Sequence, residues 1–235
     1  MKKHIPNFLT CCNIFTGCIA IVMALKNHLE VASILIFVAA LFDFLDGFAA
    51  RILHVKSTIG VEMDSLADVF SFGGAPAMIL LVWAEQCMES LSPAIQALWI
   101  TPFLPYIVFI IPAVSALRLA KFNHDERQLD SFRGLPTPAN ALFLGFLHFS
   151  SETIPFLANF WVVIALAFIF SILLISDIPM FSLKMKNFKW KENAFRYIFL
   201  FISLILVILF KLGAFPIIIL LYILISLVYN IIAKI

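Results

Sequence analysis

Charge is what this chain has least of. Of its 235 residues, 13% are Asp, Glu, Lys or Arg against 63% hydrophobic, and the mean hydropathy is +1.06. A soluble domain of this size needs far more polar surface; that class is excluded, and the chain reads as an integral membrane protein. It also lacks any polar stretch long enough for a separate domain, any low-complexity linker and any internal repeat, so one membrane domain is expected. Its four cysteines, Cys11, Cys12, Cys18 and Cys87, do not have the spacing of a zinc or disulfide framework and read as small apolar fillers. A net charge of +2 gives nucleic-acid binding no support.

Crossing the hydrocarbon core of a bilayer takes roughly 20 apolar residues in a helix. About eight such spans are predicted, over residues 8–26, 31–53, 62–85, 95–117, 137–151, 155–177, 195–211 and 213–233, giving an all-α polytopic bundle. The fifth is short and carries Asn140 and His148, which fits a tilted helix or one packed partly against protein. The first is too long, and its flank too poor in small-residue cleavage sites, for a removable signal peptide, so a permanent helix is expected. With both termini on the cytoplasmic side, 14 of the 16 Lys and Arg residues fall inside and only Lys26 and Lys211 outside. The positive-inside rule favours that orientation and an even number of spans.

Two polar stretches, residues 117–136 and 181–196, join spans on that basic side. The second interleaves basic residues with Phe181, Phe188, Trp190 and Phe195, which suits either a segment lying on the membrane surface or an ordinary inside loop. Loops on the other side are short, so the convergent polar groups all belong to the cytoplasmic half.

Against this background four aspartates stand out. Asp43 and Asp46 are three residues apart and Asp64 and Asp68 four apart, so on helices each pair shares one face. The second span runs inward and the third outward, which brings both pairs to one depth near the inner interface. Four uncompensated carboxylates there would cost several kcal/mol. Divalent cations resolve this, and with no His or Cys in the set, oxygen ligands favour Mg²⁺, Mn²⁺ or Ca²⁺. Gly47 and Ala50 lie on the Asp43 face and Gly60 precedes Asp64 by four residues, leaving room for a ligand against the backbone. Arg51 offers a planar fork suited to phosphate. A single intramembrane aspartate reads equally as part of an ion or proton pathway; four at this spacing favour a metal site and a phosphate-bearing substrate.

The same residues give a family resemblance. The stretch from Asp43 to Asp68 matches the pattern D-x2-D-G-x2-A-R-x8-G-x3-D-x3-D at Asp43, Asp46, Gly47, Ala50, Arg51, Gly60, Asp64 and Asp68. In this it resembles the CDP-alcohol phosphotransferase family. The resemblance implies a six-helix catalytic core with two further helices, here residues 1–180 followed by a basic loop and two spans over 181–235. It implies transfer of a substituted phosphoryl group from a CDP-linked donor to an alcohol, with release of CMP. Asp43, Asp46, Asp64 and Asp68 would hold two divalent ions, Mn²⁺ or Mg²⁺, and Asp68 would also act as general base. Gly47, Ala50, Arg51 and Gly60 would line the donor, joined by Asn7 and Thr10 of the first span; Asn7 also reads as an N-cap.

Three further stretches, at 68–77, 116–123 and 132–140, look like the phosphatidylserine synthase branch, although Lys121 stands where that branch commonly has Arg. Val69 follows Asp68 where glycerophosphate-using members have Lys. The implied reaction joins CDP-diacylglycerol and L-serine at a bacterial-type inner membrane, in a homodimer embedded among membrane lipids. Arg118, Lys121 and Arg133 are the cations available for the serine carboxylate, and each also fits the positive-inside rule. Gly73, Gly74 and Pro76 would loosen or kink the third span just beyond Asp68. Other acceptors (glycerol phosphate, inositol phosphate, choline) remain open within the class, as does a divalent-cation transporter outside it.

Overall fold

The computed structural model describes residues 4–55, 57–124, 132–180 and 190–232. Stretches 125–131 and 181–189, the latter including Phe181 and Phe188 of the expected surface segment, lie outside them. The chain is a helical bundle. Helix α1 (His4–Leu25) turns through Asn27, whose φ of 65° is the left-handed conformation Asn tolerates, into α2 (Leu29–Ile52). The two pack along their length. Helix α3 (Thr58–Asp68) is capped by Ser57, whose Oγ accepts from Gly60 N–H at 3.3 Å.

Helix α3 continues through a π-helical segment, Val69–Gly74, into α4 (Ala75–Cys87). The reason is local: Pro76 has no N–H to return to Phe72, and Ala75 N–H bonds instead to Phe70 carbonyl, five residues back. The irregularity foreseen around Gly73, Gly74 and Pro76 is therefore a widened helical turn that starts at the residue after Asp68.

A short helix α5 (Pro93–Gln96) follows, and then a 3₁₀ stretch, Thr101–Phe109, leads into α6 (Ile110–His124). Pro102 and Pro105 hold the 3₁₀ geometry. This span begins and ends about two turns later than the expected 95–117, which puts Arg118 and Lys121 on a helix instead of in a loop. Helix α7 (Thr137–Ser150) has 14 residues and buries Asn140, Phe143, Leu144 and Phe146 among others. It packs against α2, α4 and a later helix α10 (Ala214–Ile232), as its shortness and polar residues led us to expect. Helices α8 (Phe160–Ile175) and α9 (Trp190–Phe210) complete the bundle.

Five helical runs, His4–Leu25, Leu29–Ile52, Thr58–Ser90, Thr101–Asn123 and Asn193–Val228, are long and apolar enough to cross a membrane; the last contains the break between α9 and α10 at Lys211–Gly213. With the shorter α7 and the short apolar α8, helices stand at the positions of all eight expected spans.

Small residues set the close approaches. A Cβ on Gly17 of α1 would lie 2.8 Å from the Cα of Ser71 in the π segment. On α7, Gly145 offers its carbonyl to Ser33 Oγ of α2 at 2.6 Å, and a Cβ there would meet Ile36 at 2.9 Å. Such pairs let helix backbones touch where apolar solvent gives no hydrophobic drive. One short pairing joins Phe132–Arg133 to Pro179–Met180. It holds Gly134, at φ 74°, under the end of α8: Gly134 N–H bonds to Ile178 carbonyl and Leu135 N–H to Leu173 carbonyl, both at 2.9 Å.

Candidate active site

The third and fourth acidic residues lie on successive turns of α3 and the first two on α2, and the packing of those helices with α1 decides where they point. Asp43, Asp64 and Asp68 each bring a carboxylate oxygen within 4.8 Å of the others. Asp46 turns toward α1, where Thr10 Oγ1 donates to its Oδ2 at 2.7 Å. Thr10 also donates to Pro6 carbonyl at 3.1 Å. The acidic constellation is thus three clustered carboxylates and a fourth held by a hydroxyl.

A cavity of about 560 Å³ opens next to these residues between the start of α1, the end of α2 and the capped start of α3. Asn7, Thr10, Asp46, Gly47, Ala50, Gly60 and Asp64 are among its walls. A Cβ on Gly47 would meet no atom of the described residues within 4 Å, so a side chain there would enter the cavity itself. Gly60 has a different part: its Cβ would lie 3.3 Å from Asn7 Oδ1, so its absence lets α3 and α1 approach. Arg51 is exposed, its Nε donating to Gly47 carbonyl at 3.0 Å, and is not among the walls.

The three cations expected near the acceptor separate. Arg118 is 8% exposed, interacts electrostatically with Asp68, donates from Nη1 to Thr137 Oγ1 at 2.5 Å, and sits 5.9 Å over the Phe122 ring. Lys121 is exposed on α6. Arg133 lies 3.8 Å from the solvent-facing carboxylate of Asp177. The structure thus brings Arg118 to the aspartates and leaves Lys121 and Arg133 outside their immediate surroundings.

Sequence reasoning gave no part to Thr137, which orients Arg118, or to Ser71, whose Oγ donates to Asn13 carbonyl at 3.0 Å and ties the π segment to α1. The FRGLPTPAN stretch carried Thr137 without distinguishing it from its neighbours.

The donor set suits hard divalent cations. All the ligand atoms are carboxylate oxygens, and Oδ1 of Asp64 and of Asp68 are buried without a hydrogen-bond partner among the described residues. Buried anionic oxygens left in that condition call for a cation, and Arg118 supplies only one positive charge.

Comparison with known proteins agrees with this geometry. Residues 3–173 match the family model described as CDP-alcohol phosphatidyltransferase. A protein of Helicobacter pylori is 32% identical over 208 residues, covering 86% of this chain and 81% of its own. One of Methanocaldococcus jannaschii is 35% identical over 196 residues, covering 83% and 79%, and one of Bacillus subtilis is 33% identical over 153 residues, covering 65% and 79%. All three bear the name CDP-diacylglycerol–serine O-phosphatidyltransferase. The match spans every helix that contributes to the cluster and the cavity, and this chain belongs to the CDP-alcohol phosphatidyltransferase family.

Proposed function

We propose that the chain transfers the phosphatidyl group of CDP-diacylglycerol to the hydroxyl of L-serine, giving phosphatidylserine and CMP. The observation that carries this is the convergence of Asp43, Asp64 and Asp68 beside a cavity of nucleotide size, in a chain whose curated relatives are named for that reaction. The cytidine diphosphate occupies the cavity, against the bare backbone at Gly47 and Ala50, with Asn7 and Thr10 of α1 as its polar contacts. The start of α3 faces the same space, where helix N–H groups favour phosphate. Thr10 holds Asp46 in one orientation at the cavity wall.

Asp43, Asp64 and Asp68, with Asp46 alongside, hold the divalent ions, Mn²⁺ or Mg²⁺. Bound there, such ions neutralise the diphosphate and the developing charge on the leaving group. Asp68 takes the serine hydroxyl proton as that oxygen bonds to the lipid-linked phosphorus. The bond from that phosphorus to the bridging oxygen breaks, and CMP departs with the electron pair. Arg118 lies beside Asp68 and is the cation best placed for the acceptor carboxylate. The acyl chains leave sideways between helices into the lipid.

Orientation follows the charge distribution: both termini and the aspartates face the cytoplasm across a bacterial-type inner membrane. A homodimer is part of the same reading, checked by the mass of the detergent-solubilised protein.

The test is CMP release by purified protein with CDP-diacylglycerol and Mn²⁺ or Mg²⁺, comparing L-serine with glycerol 3-phosphate, inositol, inositol phosphate and choline. Serine-dependent release with phosphatidylserine as product is the expected result. Release with another alcohol replaces the acceptor, and cation uptake into liposomes without CMP release replaces the reaction.

A further inference from the structure

A second cavity, of about 530 Å³, lies at the end of the bundle opposite the aspartates. It sits where the start of α2, the end of α7 and the break between α9 and α10 come together. On α2, Asp43 is 13 residues beyond Glu30 of the cavity wall; on α7, Ser150 of the wall is 13 residues beyond Thr137. Along both helices about 20 Å therefore separates this cavity from the active site. Ser150 Oγ donates to Gly213 carbonyl at 3.1 Å, which fixes the α9–α10 break against α7. The Phe215 ring, just past the break, lies 4.4 Å from that of Phe146 on α7 and 5.6 Å from that of Phe37 on α2, so the walls are tied to one another by packing as well.

Its charge is mixed. Lys211, Glu30 and Glu152 all line it, and none of the three has an ion-pair partner among the described residues. Lys211 is also held at φ 51°, a left-handed conformation that a lysine seldom adopts and that persists only where the surrounding structure imposes it. Thr153 adds a hydroxyl. The rim, by contrast, is apolar: Ile154, Leu209 and Phe210 line the cavity and are exposed, Leu209 to 67%. Trp99 and Trp161 are exposed at this same end of the bundle, and tryptophan collects where lipid headgroups meet hydrocarbon. A site at that depth, with one cation, two anions and an apolar rim, fits a ligand carrying acyl chains, a phosphate and an ammonium group.

We propose that this cavity binds the headgroup of a zwitterionic aminophospholipid of the phosphatidylethanolamine class. Lys211 meets the phosphate, Glu30 and Glu152 accept from the ammonium group, and the acyl chains run past Ile154, Leu209 and Phe210 into the surrounding lipid. The two carboxylates supply selectivity by repulsion. A headgroup with a phosphate and no ammonium leaves both of them facing a like charge, and one that adds a carboxylate, as phosphatidylserine does, brings a second anion against them. The left-handed turn at Lys211 is the device that keeps a cation at the cavity wall between α9 and α10. Binding here requires only the membrane-spanning bundle and is independent of the transfer reaction proposed above.

The experiment is native mass spectrometry and thermal unfolding of the full chain in detergent, delipidated and then titrated with phosphatidylethanolamine, phosphatidylglycerol or phosphatidylserine of identical acyl chains. Phosphatidylethanolamine is expected to bind at least about fivefold more tightly than the other two and to raise the melting temperature most. Glu30→Gln and Glu152→Gln together should erase that preference, and Lys211→Gly should weaken phosphatidylethanolamine binding at least about fivefold. Lys211→Gly should not lower the melting temperature of the lipid-free chain, since glycine takes φ 51° without strain, so binding lost in that variant is not folding lost. Equal retention of the three lipids, or a phosphatidylethanolamine preference that survives in these variants, would overturn the proposal. Stabilisation of the lipid-free chain by Ca²⁺ or Mg²⁺ that Glu30→Gln and Glu152→Gln remove, with no preference among the lipids, would overturn it as well and assign the cavity to a cation.

Discussion

Thr10 Oγ1 and Asp46 Oδ2 lie 2.7 Å apart, joining α1 to α2 at the wall of the donor cavity. A hydrogen bond to a carboxylate in such a place contributes about 1.5–3 kcal/mol, and it fixes which way Asp46 points. Thr10→Val keeps the shape and removes the donor. The expected result is a fall of about tenfold to a hundredfold in kcat/KM for CDP-diacylglycerol, with the KM for serine little changed, measured by CMP release at varied donor concentration.

Gly47 separates stability from function. It is an exposed helical residue whose Cβ would meet nothing within 4 Å among the described residues, so Gly47→Ala should stabilise α2 by about 0.5–1 kcal/mol through backbone entropy. The same methyl group projects into the donor cavity. A higher melting temperature together with a raised KM for CDP-diacylglycerol is expected, and Gly47→Leu should abolish turnover while the protein still folds. Normal turnover in the leucine variant would show that the cavity does not take the donor.

The carboxylates should divide by role. Chelation with EDTA is expected to abolish CMP release, and Mn²⁺ or Mg²⁺ to restore it. Asp43→Asn and Asp64→Asn should weaken Mn²⁺ binding at least tenfold, as read by calorimetry. Asp68→Asn should lower kcat by at least a hundredfold even at saturating metal, since a general base contributes 10²–10⁴. Full turnover in Asp68→Asn would sink its assignment as base.

Far from the nucleotide, Gly134 holds the strand that delivers Thr137 to Arg118. Its φ of 74° suits glycine, and a Cβ there would lie 2.9 Å from Ser176 carbonyl oxygen. Gly134→Ala is expected to cost about 1–3 kcal/mol, visible as a lower melting temperature. Because Thr137 positions Arg118, the KM for serine should rise more than that for CDP-diacylglycerol.

Much of this arrangement was legible in the chain. The apolar runs define the spans because the bilayer leaves a helix little choice of length, and the 43–68 pattern identifies the family because each of its residues answers a local need for charge or for a missing side chain. Even the irregular turn after Asp68 was foreshadowed, since Pro76 removes one N–H wherever the helix packs. The later start of the 101–124 span escaped the hydropathy pattern, which does not register that Pro102 and Pro105 tighten the chain into 3₁₀ geometry before α6 begins.

Sequence by itself determined the membrane class, the order of helices and the residue types of an acidic, oxygen-only centre, because these follow from hydropathy and from spacing within single helices. Contacts between helices were decided only in three dimensions. Asp43, Asp64 and Asp68 meet while Asp46 turns to Thr10, and among three equally plausible cations Arg118 is buried beside Asp68 while Lys121 faces outward and Arg133 lies near Asp177. Rotation of each helix about its axis is set by which small residues let neighbours approach, at Gly17 against Ser71 and at Gly145 against Ile36. Those approaches depend on pairs of residues distant in sequence, and no local pattern records them.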